Sequence, residues 1–507
     1  MISIVLYLSV MLIIGVAFSK KTKNVGDFYL GGRKLGPIVT AMSAEASDMS
    51  GWLLMGLPGL ALLCGTAEPV WTAMGLAVGT YVNWLLVAKR LRSYSASIDA
   101  ITIPDYFSRR YKEKKNILMA IAAVVIIVFF IPYTASGFAA CGKLFGTLFG
   151  VDYHIAMVVS AIIIVGYTSL GGFNAASTTD LIQSIIMTIA LVVVLVFGVS
   201  KAGGMEAVME NAKSIDGYLS LTQCLNADNT EVVGYSGLTI ASTLAWGFGY
   251  FGMPHILLRF MAIENPNKIK TSRRVATVWV VISMAIAVLI GIVGRGMIKN
   301  GAIGALTTSS DSETIIIQIA KLLSNSGIVP ALVAGIILAG ILASTMSTSD
   351  SQLLAASSSA SENIIGGLFK VNISETAKMV VARVVLIVIS VIGVVIAWDS
   401  NSSVFRIVSF AWAGFGAAFG PVMILSLFWK RSNKYGAIAG MIAGGVMVFV
   451  WKFIIATPGS WTSIYELLPA FIIGLAVNVV VSLLTPAPEQ EILDEFDAYK
   501  DTCKKIK

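Results

Sequence analysis

Uncharged apolar runs of roughly 17 to 25 residues recur along almost the whole chain, each long enough to cross about 30 Å of hydrocarbon as a helix. Lipid offers no partner to backbone N–H and C=O groups, so such segments must be helices or part of a closed barrel. Their apolar residues are continuous rather than alternating, which selects helices. Only 13% of the residues are charged, and 56% are hydrophobic. A disordered chain shows the reverse balance, and a soluble domain carries about twice that charge. The chain is therefore predicted to be an all-α polytopic membrane protein.

Thirteen spans are predicted, at roughly 2–18, 36–62, 69–88, 117–142, 153–171, 178–200, 236–260, 275–298, 327–360, 376–398, 404–429, 435–456 and 464–485. The first stands where a signal sequence would, but Lys20-Lys21 follow it instead of a small-residue cleavage site, so it is predicted to remain as a membrane helix. Alternate loops then collect 28 of the 36 Lys and Arg residues on one side, from Lys20–Lys34, Lys89–Lys115, Arg259–Arg274, Lys370–Arg383, Lys430–Lys434 and Lys500–Lys507. The positive-inside rule places that side in the cytoplasm, with the N-terminus outside and the C-terminus inside. Topology thus accounts for the net charge of +8, and no nucleic-acid partner is required. The tail from Pro486 has no apolar run and is predicted to be solvated. Cys64, Cys141, Cys224 and Cys503 form no metal spacing or disulfide framework, and His154 and His255 are the only histidines. No cofactor is expected.

Three spans are interrupted. The second reads Ala-Met-Ser-Ala-Glu-Ala-Ser-Asp48-Met-Ser-Gly-Trp52, with an acid near mid-membrane that costs at least about 2.5 kcal/mol to insert. The Ser-Gly pair beside it invites unwinding. The seventh reads Trp246-Gly-Phe-Gly-Tyr250-Phe-Gly-Met-Pro254, in which three glycines and a proline will not hold a straight helix. Spans 2–6 and 7–11 are two sets of five. An odd count makes the second set inverted relative to the first, and each opens on its broken helix. Paired breaks at matching positions mark the binding site of a transporter, because irregular backbone is tolerated only around a buried site or cavity. The ninth span adds Ser344-Thr-Met-Ser347-Thr348-Ser349-Asp350-Ser351, where Ser344, Ser347, Thr348 and Ser351 share one helical stripe. Neutral oxygens of this kind suit a monovalent cation that must also leave. A divalent ion would gather more carboxylates.

At these residues the chain resembles the sodium/solute symporter family, and within it the bacterial sodium/proline branch. The resemblance is carried by Leu30-Gly-Gly-Arg33-Lys-Leu-Gly-Pro37, Ala46-Ser-Asp48-Met-Ser50-Gly51-Trp52, Tyr167-Thr-Ser-Leu-Gly-Gly172 with Thr179-Asp180, and Gly249-Tyr250-Phe-Gly-Met-Pro254-His. Met346-Ser347-Thr348 and Trp412-Ala-Gly-Phe-Gly-Ala-Ala-Phe-Gly-Pro421 complete it. It implies a five-plus-five inverted repeat of the leucine-transporter type: an extra helix and first loop (1–35), repeats at 36–200 and 236–430 around an external loop (201–235), two further helices (431–485) and a cytoplasmic tail (486–507). It also implies residence in a bacterial inner membrane and uptake of L-proline coupled to sodium, with no enzymatic chemistry.

The family's sodium site maps onto carbonyls of Ala46, Met49 and Ser344 and hydroxyls of Ser347 and Thr348, with Asp48 as the associated acid. A second sodium site, found in some members, would use Asp180, Ser347, Asp350 and Ser351. Asp180 could instead pair structurally with a neighbouring helix. Substrate contacts fall on Ser50, Gly51, Trp52, Tyr133, Trp246, Tyr250 and Pro254, and Arg33 resembles a gate residue. No role is evident for Glu45. Two other readings stay open: a sodium symporter for another amino acid or small carboxylate, and a sensor or channel on the same scaffold. The polar residues cluster at mid-depth instead of forming a continuous stripe, which disfavours a channel, and the absence of a Walker loop argues against drive by ATP hydrolysis.

Overall fold

The structure, a computed structural model, describes residues 2–19, 29–226, 231–369 and 374–505. Lys20, Lys21, Lys23, Lys370 and Lys507, which contribute to the predicted orientation, lie outside the described residues. The helices, in chain order, are α1 (Ile2–Ser19), α2 (Pro37–Asp48), α3 (Trp52–Cys64), α4 (Ala67–Ser97), α5 (Ile103–Arg110), α6 (Ile117–Phe149), α7 (Tyr153–Lys201), α8 (Met205–Lys213), α9 (Gly237–Leu244) and α10 (Pro254–Ala262). They continue with α11 (Pro266–Lys299), α12 (Ser309–Ser312), α13 (Ile315–Ser324), α14 (Ile328–Gly367), α15 (Glu375–Ile396), α16 (Val404–Phe428), α17 (Lys434–Ile455), α18 (Leu467–Leu484) and α19 (Gln490–Lys505). Among the described residues the only strands are an antiparallel pair, Gln223–Leu225 with Val232–Gly234, in the loop after α8.

Among the described residues eight helices are long and apolar enough to cross a membrane, or nine with the bent pair α2–α3 counted as one span. The four other predicted spans fall on shorter apolar helices (Ile2–Gly15, Tyr153–Gly166 and Val380–Ile396) and on the interrupted segment from α9 to α10.

The interruptions have local causes. Between α2 and α3 the chain bends by 62°. Met49 leaves the helical region at φ −78°, ψ 73°. Between α9 and α10, residues Ala245–Phe251 tighten into a 3-10 turn, Met253 is extended, and Pro254 restarts the helix at its first position, where a missing N–H costs nothing. The glycine at 249 is required by packing: a Cβ there would lie 1.9 Å from Trp412 Nε1 on α16. A third break divides α7 at Gly172, whose φ of 68° is open to glycine and strained for other residues.

At one end of the molecule Glu313, between α12 and α13, accepts from the backbone N–H groups of Val404 and Phe405 at 3.0 Å and so caps α16. Lys143 of α6 pairs with the same carboxylate at 2.7 Å, and both side chains are buried. A carboxylate at a helix N-terminus is favourable, and Lys143 balances its charge.

The tail corrects the expectation of a solvated segment. It forms α19, and Ile492, Phe496 and Tyr499 are buried. These residues follow helical spacing, so they make an apolar stripe with no apolar run. The Tyr499 ring stacks on Tyr94 of α4 at 4.3 Å and 8°, and its hydroxyl donates to Leu427 O at 2.6 Å. The guanidinium of Arg110 lies 4.9 Å from the Phe496 ring, and its Nε donates to Ser426 O. Arg110, predicted as a loop charge, is fully buried in this aromatic box.

Candidate ion and substrate site

The unwinding after Asp48 turns the Ser50 N–H to Asp48 O at 2.8 Å, so the Ala46 carbonyl in the last turn of α2 loses its helical partner. Two hydroxyls of α14 lie against the exposed backbone. Ser347 Oγ is 2.8 Å from Ala46 O and 3.1 Å from Ser344 O, and Thr348 Oγ1 is 3.1 Å from Ser344 O. Four of the five oxygens assigned to sodium from the sequence are therefore within reach of one another. The fifth, the Met49 carbonyl, follows the bend. All five residues are buried. Neutral oxygens at this spacing can surround a small monovalent ion, with the two hydroxyls rotating to offer lone pairs.

Asp48 sits at the elbow and is fully buried. Its backbone carbonyl is held by Tyr133 Oη and Trp52 Nε1, each at 3.0 Å, and by the Ser50 N–H at 2.8 Å. Its carboxylate accepts from Tyr250 Oη at 2.8 Å, while Oδ1 and the Ser50 hydroxyl have no protein partner. The two broken segments are thus joined through Asp48 and Tyr250, 202 residues apart in sequence. Beside this junction Trp246 packs among four other aromatic rings. Trp246 is 6.2 Å from Trp52, 6.1 Å from Trp412, 5.3 Å from Phe405 and 5.1 Å from Tyr465. Trp412 Nε1 donates to Trp246 O at 2.8 Å, which fixes the 3-10 turn.

Trp246 and Tyr465 also line a cavity of about 350 Å³ whose wall carries Glu68, Arg406, Lys452 and Glu466. Glu68 lies at one end of α4. At the other end Arg33 donates to Ser95 O, Ala100 O and Met261 O at 2.5 to 3.1 Å. These bonds tie the segment before α2 to α4, the linker into α5 and α10. Burial, and then the nearby charge of Arg92, lower the Arg33 guanidinium to about 10, so it stays cationic at neutral pH.

Asp180, Asp350 and Ser351 are brought together, but around a fixed cation. Arg259 of α10 is buried, and its Nη2 lies 3.1 Å from Asp180 Oδ2 and 2.6 Å from Ser351 Oγ. Its Nε donates to Ser43 Oγ at 2.9 Å, and Ser43 donates to Asp180 Oδ2 at 2.6 Å. Arg259, counted from sequence among the loop charges, is an internal residue. A lone arginine inside Pro-His-Ile-Leu-Leu-Arg-Phe-Met-Ala is the signal that could have found it. Of the seven predicted substrate contacts only Trp246 lines the cavity it shares with Tyr465; Ser50, Gly51, Trp52, Tyr133 and Tyr250 are buried beneath it, and Pro254 lines a small separate cavity with Arg259 and Ser351. Glu45 accepts from Trp84 Nε1 at 2.9 Å and so anchors α2 to α4.

A model of the sodium:solute symporter family matches residues 28–444. The chain belongs to this family. Similar family proteins include a sodium/proline symporter of Haemophilus influenzae, 42% identical over 100% of this chain and 99% of that protein. A high-affinity proline transporter of Bacillus subtilis is 41% identical over 97% of this chain and 99% of its own length, and a sodium/proline symporter of Escherichia coli is 40% identical over 98% and 95%. Among solved structures, a Na⁺-coupled sialic acid symporter in a substrate-bound outward-open state has a TM-score of 0.78 at 19% identity, covering 96% of this chain and 98% of that one. The structure of MhsT in complex with L-phenylalanine has a TM-score of 0.56 at 11% identity, covering 89% of this chain and 98% of that one. At those identities the likeness concerns the fold. This symporter-family member is a transporter and not an enzyme.

Proposed function

We propose that the chain takes up L-proline by alternating access, driven by inward sodium flow. One observation carries this function: the freed Ala46 carbonyl of α2 meets the Ser347 hydroxyl of α14 at 2.8 Å, directly beside Asp48 and its Tyr250 partner. Sodium at Ala46, Met49, Ser344, Ser347 and Thr348 would pin α2 to α14, and the same elbow would shape the substrate site beneath the Trp246 cavity. Proline would place its carboxylate at the backbone donors of Ser50 and Gly51, near the start of α3, and its ring against Trp246 and Tyr250, with Trp52 and Tyr133 behind. The names borne by full-length relatives near 40% identity support proline as the substrate.

Thirteen spans in a five-plus-five inverted repeat, with the N-terminus outside and the C-terminus in the cytoplasm of a bacterial cell, complete the proposal. In that orientation the cavity above Trp246 faces outward and the bonds of Arg33 close the inner side. Net movement of one charge across 100 mV releases about 2.3 kcal/mol, which sustains a gradient of roughly 50-fold. Labelled proline uptake into proteoliposomes tests the proposal. Uptake is expected to require an inward sodium gradient, and unlabelled proline is expected to compete. Uptake indifferent to sodium overturns the coupling, and a failure of proline to compete overturns the substrate.

A further inference from the structure

At the basic end of the molecule α4, α11, α16 and α19 enclose a cavity of about 580 Å³. Its wall includes Arg90, Lys270, Arg273, Lys500 and Lys504, and no acidic residue among those described lines it. Two of these cations have little to neutralise them. Arg273 lies 5.2 Å from the Tyr81 ring, and its buried Nε has no hydrogen-bond partner. Arg90 lies 4.4 Å over the Phe428 ring and donates to Leu86 O, a neutral acceptor. Lys504 pairs with Asp501 at 3.0 Å, but both side chains are exposed, and such a pair is worth little.

The rest of the wall is apolar: Trp84, Leu85, Leu427 and Phe428. Leu85 is 41% exposed and lies on one stripe of α4 with Tyr81 and Val78, which are 43% and 61% exposed. A positively charged chamber therefore opens onto an apolar track along the lipid-facing side of a membrane helix. A soluble anion would use the chamber and leave the track bare. A ligand with a phosphodiester head and an acyl chain uses both.

We propose that this cavity holds the head group of an anionic phospholipid, with one acyl chain lying along Leu85, Tyr81 and Val78. Basic pockets between helices at the cytoplasmic membrane boundary suit such head groups. Because α19 supplies Lys500 and Lys504, a bound lipid would bridge the tail helix to α4 and α11.

The test uses the purified full-length chain in neutral detergent, with native mass spectrometry counting retained lipid. It reads binding without transport, so its failure is separate from any failure of the proline assignment. One phosphatidylglycerol is expected to be retained at least about tenfold more than phosphatidylcholine, and Arg90→Gln with Lys270→Gln and Arg273→Gln is expected to abolish that preference. Glycerol 3-phosphate is expected not to displace the lipid. Equal retention of the two lipids by the unaltered chain, which needs no variant, overturns the proposal. Preference unchanged in the triple variant overturns this location, and displacement by glycerol 3-phosphate at equal concentration identifies a soluble phosphoester site instead.

Discussion

The guanidinium of Arg259 occupies the space between Asp180 and Ser351 that a second sodium would need, at 3.1 Å and 2.6 Å. With a fixed cation there, the proposed sodium site at Ala46, Met49, Ser344, Ser347 and Thr348 would act alone among the described residues. Sodium activation of uptake is therefore expected to be hyperbolic, and a sigmoidal curve would contradict it. Arg259→Met strands the buried Asp180 and is expected to cost about 3–5 kcal/mol of stability, read as heat inactivation. Ser347→Ala with Thr348→Ala removes two of the oxygens proposed for sodium and is expected to raise the half-saturating sodium concentration about tenfold, equivalent to about 1.4 kcal/mol. Tyr250→Phe leaves Asp48 Oδ2 without its donor, at about 1–3 kcal/mol. It is expected to weaken proline binding as well as sodium binding, measured as two separate half-saturation values. Asp48 and the hydroxyl stripe were legible from sequence because each is a polar exception inside an apolar run. Arg259 was not, since a position near a span end does not reveal whether a charge points to water or to an acid 79 residues away.

Two kinds of element behave differently in this chain. The broken helices announce themselves through glycine, proline and polar residues where a span should be plain, and the structure bends or tightens at both places. Gly249 shows the reason, because a methyl group there runs into the Trp412 indole. Gly249→Ala is expected to lower thermal stability by about 1–3 kcal/mol and to slow uptake more than it changes sodium affinity, as crowding at a packed turn does. Helix α19 escaped a search for apolar runs because its buried residues are three, spaced along an otherwise charged segment. Replacing Phe496 and Tyr499 with alanine is expected to release α19 and expose the backbone beside Lys500 to limited proteolysis while the membrane helices persist.

Across the whole molecule, polar ties sit at both ends of the aromatic junction. Arg33 gathers three carbonyls at the basic end, and Lys143 with Glu313 holds the start of α16 at the other. The Glu313 tie reaches Phe405, whose ring is 5.3 Å from Trp246, so it borders the cavity proposed to admit substrate. Lys143→Met is expected to loosen α16 and to raise the proline concentration for half-maximal uptake, with sodium dependence little changed.

The cluster around Trp246 has an optical consequence. Two indoles, Trp52 and Trp412, stand 6.2 and 6.1 Å from a third, Trp246, at tilts of 33° and 32°. Transition dipoles at that separation mix, so these tryptophans absorb polarised light as a coupled set with a chiral signature in the near ultraviolet. A solute wedged among them, or an ion that rotates the elbow beneath, changes the coupling. The protein thus carries an intrinsic chromophore at the proposed substrate site, and circular dichroism in the near-ultraviolet indole band is expected to follow the arrival of ligand without a label.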